Sequence, residues 1–354
     1  MARTVFKQRQ WFHFLLRRAK LSGFTLIEVL VALIVGGMIA SGLLFLVVQL
    51  LETNQRDAAR SDTQRDIQSA LDYIARDLRE AVYVYDGECL NRRANYNPRE
   101  HCPGLTNYLP TDVAGTGSNA TSLPVLAFWR LEPLPEELLR RCQTNAGGYS
   151  GSTTNFPAAI LGVPCLSQRM YTLVVYSLDW KQRTGMRGRA RLTRYKLPQF
   201  PFTNPAGTPP RSQGWVSPVE PTEQNNQDRE TDFYFWPLDK GTLSNGNPDN
   251  LQTALPSGEA TVLVDFVDRQ GIYDGNATCP QGYSATPSST TSPRGFYVCV
   301  KGSRTALNQE VIVRIRGEAA NRSGVPDRDP PTKPNVPVTM ETRVLTRGVV
   351  NKTQ

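Results

Sequence analysis

Residues 22–51 read SGFTLIEVLVALIVGGMIASGLLFLVVQLL, and this stretch decides the fold. Glu28 is its only charged residue, and residues 29–48 are twenty positions without a charge. About 20 apolar residues span the roughly 30 Å hydrocarbon core of a bilayer, so the stretch predicts a membrane helix. A secretory signal peptide has a shorter apolar region, about 7–15 residues, with a small-residue cleavage site behind it. Here the small residues Ser22 and Gly23 stand in front. Residues 1–23 carry six basic side chains (Arg3, Lys7, Arg9, Arg17, Arg18, Lys20) and no acidic one, which keeps the uncut N-terminus in the cytoplasm.

Glu28 is the anomaly. A carboxylate inside a membrane helix costs on the order of 2.5–3.5 kcal/mol, so it needs either a route to the interface or a partner. If the chain is cut after Gly23, Phe24 gains a free α-amino group at the start of the same segment. In a bundle of parallel copies, the amine of one subunit can meet Glu28 of the next and neutralise both charges in low dielectric. The string Ser22-Gly23-Phe24-Thr25-Leu26-Ile27-Glu28, behind a basic leader and ahead of an apolar run, resembles the class III signal of type IV prepilins and type II secretion pseudopilins. That resemblance implies cleavage by a prepilin peptidase after Gly23, N-methylation of Phe24, and a role for Glu28 in assembly. One departure is that Ser22, not Lys or Arg, precedes Gly23.

Beyond the membrane stretch the apolar positions Ile67, Leu71, Ile74, Leu78 and Val82 recur every three or four residues, the mark of an amphipathic helix. Between Phe24 and Tyr85 there is no Pro, so one nearly continuous helix of about 55–60 residues, some 80–90 Å long, is expected. The domain reading is a leader over 1–23, a transmembrane or filament-core helix over 24–51, a stalk helix over 52–86 and a β-rich head over 87–354. In the head, short β-type runs alternate with loops rich in Pro, Gly, Asn, Ser and Thr. Strands are expected at 124–129, 170–177, 189–196, 232–236, 261–267, 296–300, 311–316 and 338–346, with exposed loops at 111–122, 145–155, 201–229 and 323–337. The fold class is α+β, an antiparallel sheet laid against the C-terminal half of the long helix.

Charge and chemistry narrow the function. The formal net charge is +8, but the six leader charges account for most of it and residues 24–354 carry only +2, too little for nucleic-acid binding. All six cysteines (Cys89, Cys102, Cys142, Cys165, Cys279, Cys299) follow the membrane segment, on the exported, oxidising side. They fall into three loop-separated couples, so the expected disulfides are Cys89–Cys102, Cys142–Cys165 and Cys279–Cys299. No Cys or His spacing suits a zinc site, and no metal or cofactor is expected. His101 is the only histidine outside the leader, too little for a catalytic triad. Gly185-Met186-Arg187-Gly188 lacks the lysine and serine of a phosphate loop. The alternating Arg187, Arg189 and Arg191 have two readings: a stripe for a polyanion such as an acidic polysaccharide, or a solvated edge strand guarded by charge, the second being favoured.

A head of some 270 residues suits a minor subunit better than a major one. The run Ala70-Leu71-Asp72-Tyr73-Ile74-Ala75-Arg76-Asp77-Leu78-Arg79 resembles the PilW and PulJ type of minor pilin or pseudopilin. Glu80-Ala81-Val82-Tyr83-Val84-Tyr85-Asp86 and Pro124-Val125-Leu126-Ala127-Phe128-Trp129 are similar to cyanobacterial hormogonium polysaccharide secretion pseudopilins. The resemblance implies a non-enzymatic subunit of a pseudopilus that serves polysaccharide export and gliding. Its partners would be prepilin peptidase, other pilins, an assembly platform with its ATPase, and the cytoplasmic membrane. The competing classes are a minor pilin of a motility pilus, a membrane-anchored binding protein that never polymerises, and a membrane-anchored hydrolase.

Overall fold

The computed structural model describes residues 23–91, 97–98, 100–116, 120–145, 157–181, 185–201, 207–219, 222–224, 227–229, 231–245, 248–269, 279–288, 295–302, 308–326 and 337–347. All but Gly23 of the leader expected over 1–23, and most of the loops expected at 145–155 and 323–337, lie outside the described residues. The chain divides into two compact units, Met1–Asn54 and Gln55–Gln354.

Helix α1 (Leu26–Arg79) is 54 residues long. It begins where Thr25 turns its hydroxyl and carbonyl toward the Glu28 N–H, at 3.4 and 3.0 Å, which satisfies a donor that the first turn would leave orphaned. In the first unit, α1 meets the length and composition needed to cross a membrane, and no described residue up to Asn54 is buried. In the second unit it buries a stripe of Ala59, Thr63, Ile67, Ala70, Leu71, Ile74, Ala75, Asp77 and Leu78. The helix stops at Arg79, short of the expected Tyr85. Ala81-Val82-Tyr83-Val84, rich in β-branched and aromatic residues, instead forms strand β1 (Ala81–Val84). Val82, expected on the helical stripe, therefore faces a different core.

The head is built on an antiparallel sheet of nine strands: β1, β2 (Ser122–Pro133), β3 (Arg169–Asp179), β4 (Ala190–Pro198), β7 (Thr261–Val267), β10 (Glu310–Gly317), β9 (Phe296–Lys301) and β8 (Ser284–Thr286) in spatial order, with β11 (Val338–Leu345) also paired to β10. A separate hairpin joins β5 (Thr222–Gln224) to β6 (Gln227–Arg229) inside the loop expected over 201–229. Short helices α2 (Gly87–Leu90), α3 (Thr111–Ala114) and α4 (Glu136–Thr144) punctuate the connections. The head thus carries the α+β arrangement expected from the sequence, with the stripe of α1 packed on the sheet.

The sheet is buried on both faces. On one, Ile67, Leu71, Ile74 and Leu78 of α1 pack with Phe128, Val174, Leu192, Val264, Val298 and Val313. On the other, Tyr83, Trp129, Val175 and Tyr195 pack with Trp215, Phe233 and Trp236 from the loops. Two-sided burial explains why β2 reads as an unbroken apolar run and not as an alternating one. Gln309, the residue before β10, ties that strand to the β1 end of the sheet: its side-chain amide donates to the Val84 carbonyl and accepts the Val84 N–H, both at 2.8 Å, imitating a ladder rung on the edge of β1.

One expected strand is a turn. Residues 232–236 (Asp-Phe-Tyr-Phe-Trp) carry four consecutive aromatics, yet Asp232 Oδ1 accepts the Phe235 N–H at 2.7 Å and its carbonyl accepts that of Trp236 at 3.0 Å. An Asp side chain that bonds its own downstream backbone favours a turn over a ladder.

Candidate functional site: an assembly helix and its anchor

The first unit presents the candidate assembly residues in simple geometry. A Cβ built at Gly23 would meet nothing within 4 Å, so packing among the described residues makes no demand for glycine there. Phe24 is 79% exposed. Glu28 sits in the first turn of α1, where a carboxylate complements the helix dipole. Among the described residues its side chain has no hydrogen-bond or ion-pair partner. Ala32, Gly36 and Ala40 follow at four-residue spacing, which puts three small residues on one helical face, and a Cβ at Gly36 would also meet nothing. The small-residue spacing is legible in the sequence once the helix is established.

In the second unit, the C-terminal end of α1 is fastened by Asp77. Its Oδ2 accepts from Arg194 Nε at 2.8 Å and from the Tyr176 hydroxyl at 2.6 Å, and its Oδ1 takes the guanidinium of Arg130. Arg130 continues to Glu80 at 2.8 Å and Glu132 at 3.3 Å, and Glu132 holds Lys196 at 2.8 Å and the Thr172 hydroxyl at 3.1 Å. Arg194 also lies over the ring of Tyr73, 5.5 Å from its centroid. Burial, reinforced by the adjacent Asp77 carboxylate, pushes the Tyr176 phenol far above its ordinary range and keeps it a neutral donor. Sequence reading treated this stretch only as a family-like motif and missed Asp77 as the centre of a network. The visible signal was a lone acid on the apolar side of the helix stripe.

A strap secures the earlier turns of the same segment. Gly317 lies against Thr63, where an added Cβ would come within 2.6 Å of Thr63 Cγ2, and Gly324, with φ +78, lies against Gln55. Between them, Arg322 pairs with Asp66 and stacks over Phe266 at 4.0 Å.

The arginine stripe must be corrected. β4 is an interior strand with β3 and β7 on either side, not an edge. Arg191 is buried and gives both Nε and NH2 to Asp179 Oδ2, at 3.0 and 2.8 Å, while Arg189 bonds Glu318 at 2.9 Å. Arg187 precedes the strand and is exposed. Two of the three charges thus neutralise acids inside the head, which removes the polyanion stripe. The N–H groups of Arg187 and Gly188 are likewise directed at Asp265, at 3.2 and 3.3 Å.

Disulfides join Cys89–Cys102, Cys142–Cys165 and Cys279–Cys299, the three couples read from the sequence. His101 lies beside the first of them, and its Nδ1 accepts the Asn97 N–H at 3.2 Å.

With this geometry in view, the comparison with protein families gives one result. Residues 18–44 match the prokaryotic N-terminal methylation motif. The match begins in the basic leader, takes in Gly23, Phe24 and Glu28, and supports a type IV pilin-like protein. It implies processing by prepilin peptidase and assembly with other pilins, and with the exposed apolar helix it fits a membrane-anchored pilin-like chain with an exported head. Such a chain is structural in character. Neither curated proteins nor solved structures give a match to this chain.

Proposed function

We propose that this chain is a minor pilin-like subunit, cut between Gly23 and Phe24, N-methylated at Phe24, and drawn from the cytoplasmic membrane into a type II secretion-like filament. The observation that carries the reading is the Glu28 carboxylate, without a partner among the described residues, at the head of an uncharged exposed stretch of α1 inside the segment matched by the methylation motif. In the filament, the Phe24 amine of one subunit meets Glu28 of another, and the lost lipid contacts are replaced by helix packing along Ala32, Gly36 and Ala40. An assembly platform and its ATPase supply the work.

The resemblance of residues 80–86, around β1, and of residues 124–129 in β2 to hormogonium pseudopilins supports a filament that assists polysaccharide export and gliding. Deleting the gene and scoring surface pili and released polymer in the same cells tests the choice of machine. Loss of polymer with pili intact is expected. Loss of pili and twitching with export unchanged would make the chain a minor pilin of the motility pilus.

A further inference from the structure

The head treats its sheet edges unequally. An open edge invites strand addition, and proteins blunt such edges with charge, short strands or covering groups. Here β1 is covered by the Gln309 amide on Val84, β8 is three residues long, and β11 displays Glu341 and Arg343. β7 is different. One side pairs with β4 along the strand, but the other meets β10 only at Gly317↔Val267. Residues 261–264 (Thr-Val-Leu-Val) are uncharged, Val262 is 52% exposed, and among the described residues no strand lies on their second side.

Beside this edge runs a groove of about 490 Å³, walled by Asp66, Ser69, Tyr73 and Arg76 of α1 and by Leu263 and Asp265 of β7. Of its charges, Asp66 is paired with Arg322, and the Asp265 carboxylate accepts the N–H groups of Arg187, Gly188 and Phe266. Arg76 bonds only the Asp72 backbone carbonyl and stacks on Tyr73, with no carboxylate partner among the described residues. An unpaired uncharged strand edge beside a groove asks for extended backbone, and the uncompensated guanidinium asks for an acid.

We propose that the open edge of β7 and its groove seat an extended segment of a neighbouring filament subunit, added as a strand, with a carboxylate of that segment against Arg76. This rests on the filament reading above. It adds a lateral contact made by the head to the contact made by the membrane helix.

The test places a photo-crosslinking amino acid at Val262 of the full-length protein in cells that make the filament. The same probe at Leu345, 60% exposed on β11, and at Leu44 on the apolar helix serve as controls. Mass mapping is expected to join Val262 to one extended, acid-containing segment of another filament subunit, with little adduct from Leu345. Arg76→Glu should lower the Val262 adduct by about fivefold and leave the Leu44 adduct unchanged. If Leu44 captures a filament subunit while Val262 captures none, or only its own chain, the groove proposal is overturned and the filament reading stands. If Leu44 captures none either, the filament reading itself fails and the proposal goes with it.

Discussion

Asp77 Oδ2 and Arg194 Nε meet at 2.8 Å across the boundary between helix α1 and strand β4, both side chains being 9% exposed. The pair lies 117 residues apart in sequence and is the centre of the network that includes Tyr176 and Arg130. Removing one partner of a buried pair leaves an uncompensated charge. Asp77→Ala is expected to destabilise the folded head by about 3–5 kcal/mol, and Tyr176→Phe by about 1 kcal/mol. Denaturant unfolding of the full chain in detergent checks the order. Equal, small losses would mean that the network contributes little to holding the helix.

Gln309 presents a separable case, because its amide makes two bonds to one residue of β1. Gln309→Leu keeps the bulk and strips both partners from the Val84 backbone. Each buried group so orphaned costs about 1–3 kcal/mol. Hydrogen exchange should quicken at Val84 before it quickens in β3. Unchanged protection at Val84 would refute the rung.

The strap is read through Gly317, pressed on Thr63 and Ile67. Gly317→Ala is expected to cost about 1–3 kcal/mol by overpacking, and to expose the segment between Gln55 and Asp66 to proteolysis. A variant with wild-type protease resistance would show that the helix gives way at no cost.

How much of this was legible beforehand depends on how local each signal is. Ile67, Leu71, Ile74 and Leu78 announced the buried stripe because helical spacing alone places them on one face. The disulfides were legible because each closes a short loop, of 13, 23 and 20 residues. Val82 misled because its spacing continued the stripe while its β-branched neighbours had already turned the chain into β1. Arg189 and Arg191 misled for another reason: alternation shows that two side chains share a face, but not that Glu318, 129 residues away, is waiting there. The strand expected at 232–236 failed because one Asp side chain outweighed an apolar pattern.

Burial pushes the phenols of Tyr83, Tyr85, Tyr176 and Tyr195 well above their ordinary range. A raised folded-state value favours the neutral phenol. The associated stability is fully present below the unfolded value of about 10 and is lost as pH climbs above it. The head should therefore unfold cooperatively in strong alkali, with these phenols ionising only as it opens. Monitoring tyrosinate absorbance and circular dichroism together checks this, and ionisation of all tyrosines ahead of unfolding would contradict it.

The central claim is that Glu28 pairs with the amine released at Phe24 in a neighbouring subunit. The most direct measurement is recovery of Glu28→Ala in sheared filaments, alongside mass analysis of its N-terminus. The account predicts normal cleavage after Gly23 and at least about a tenfold loss from filaments, in keeping with removal of one member of a desolvated charge pair. A mutant that is cleaved normally and recovered in filaments at the wild-type level would contradict it.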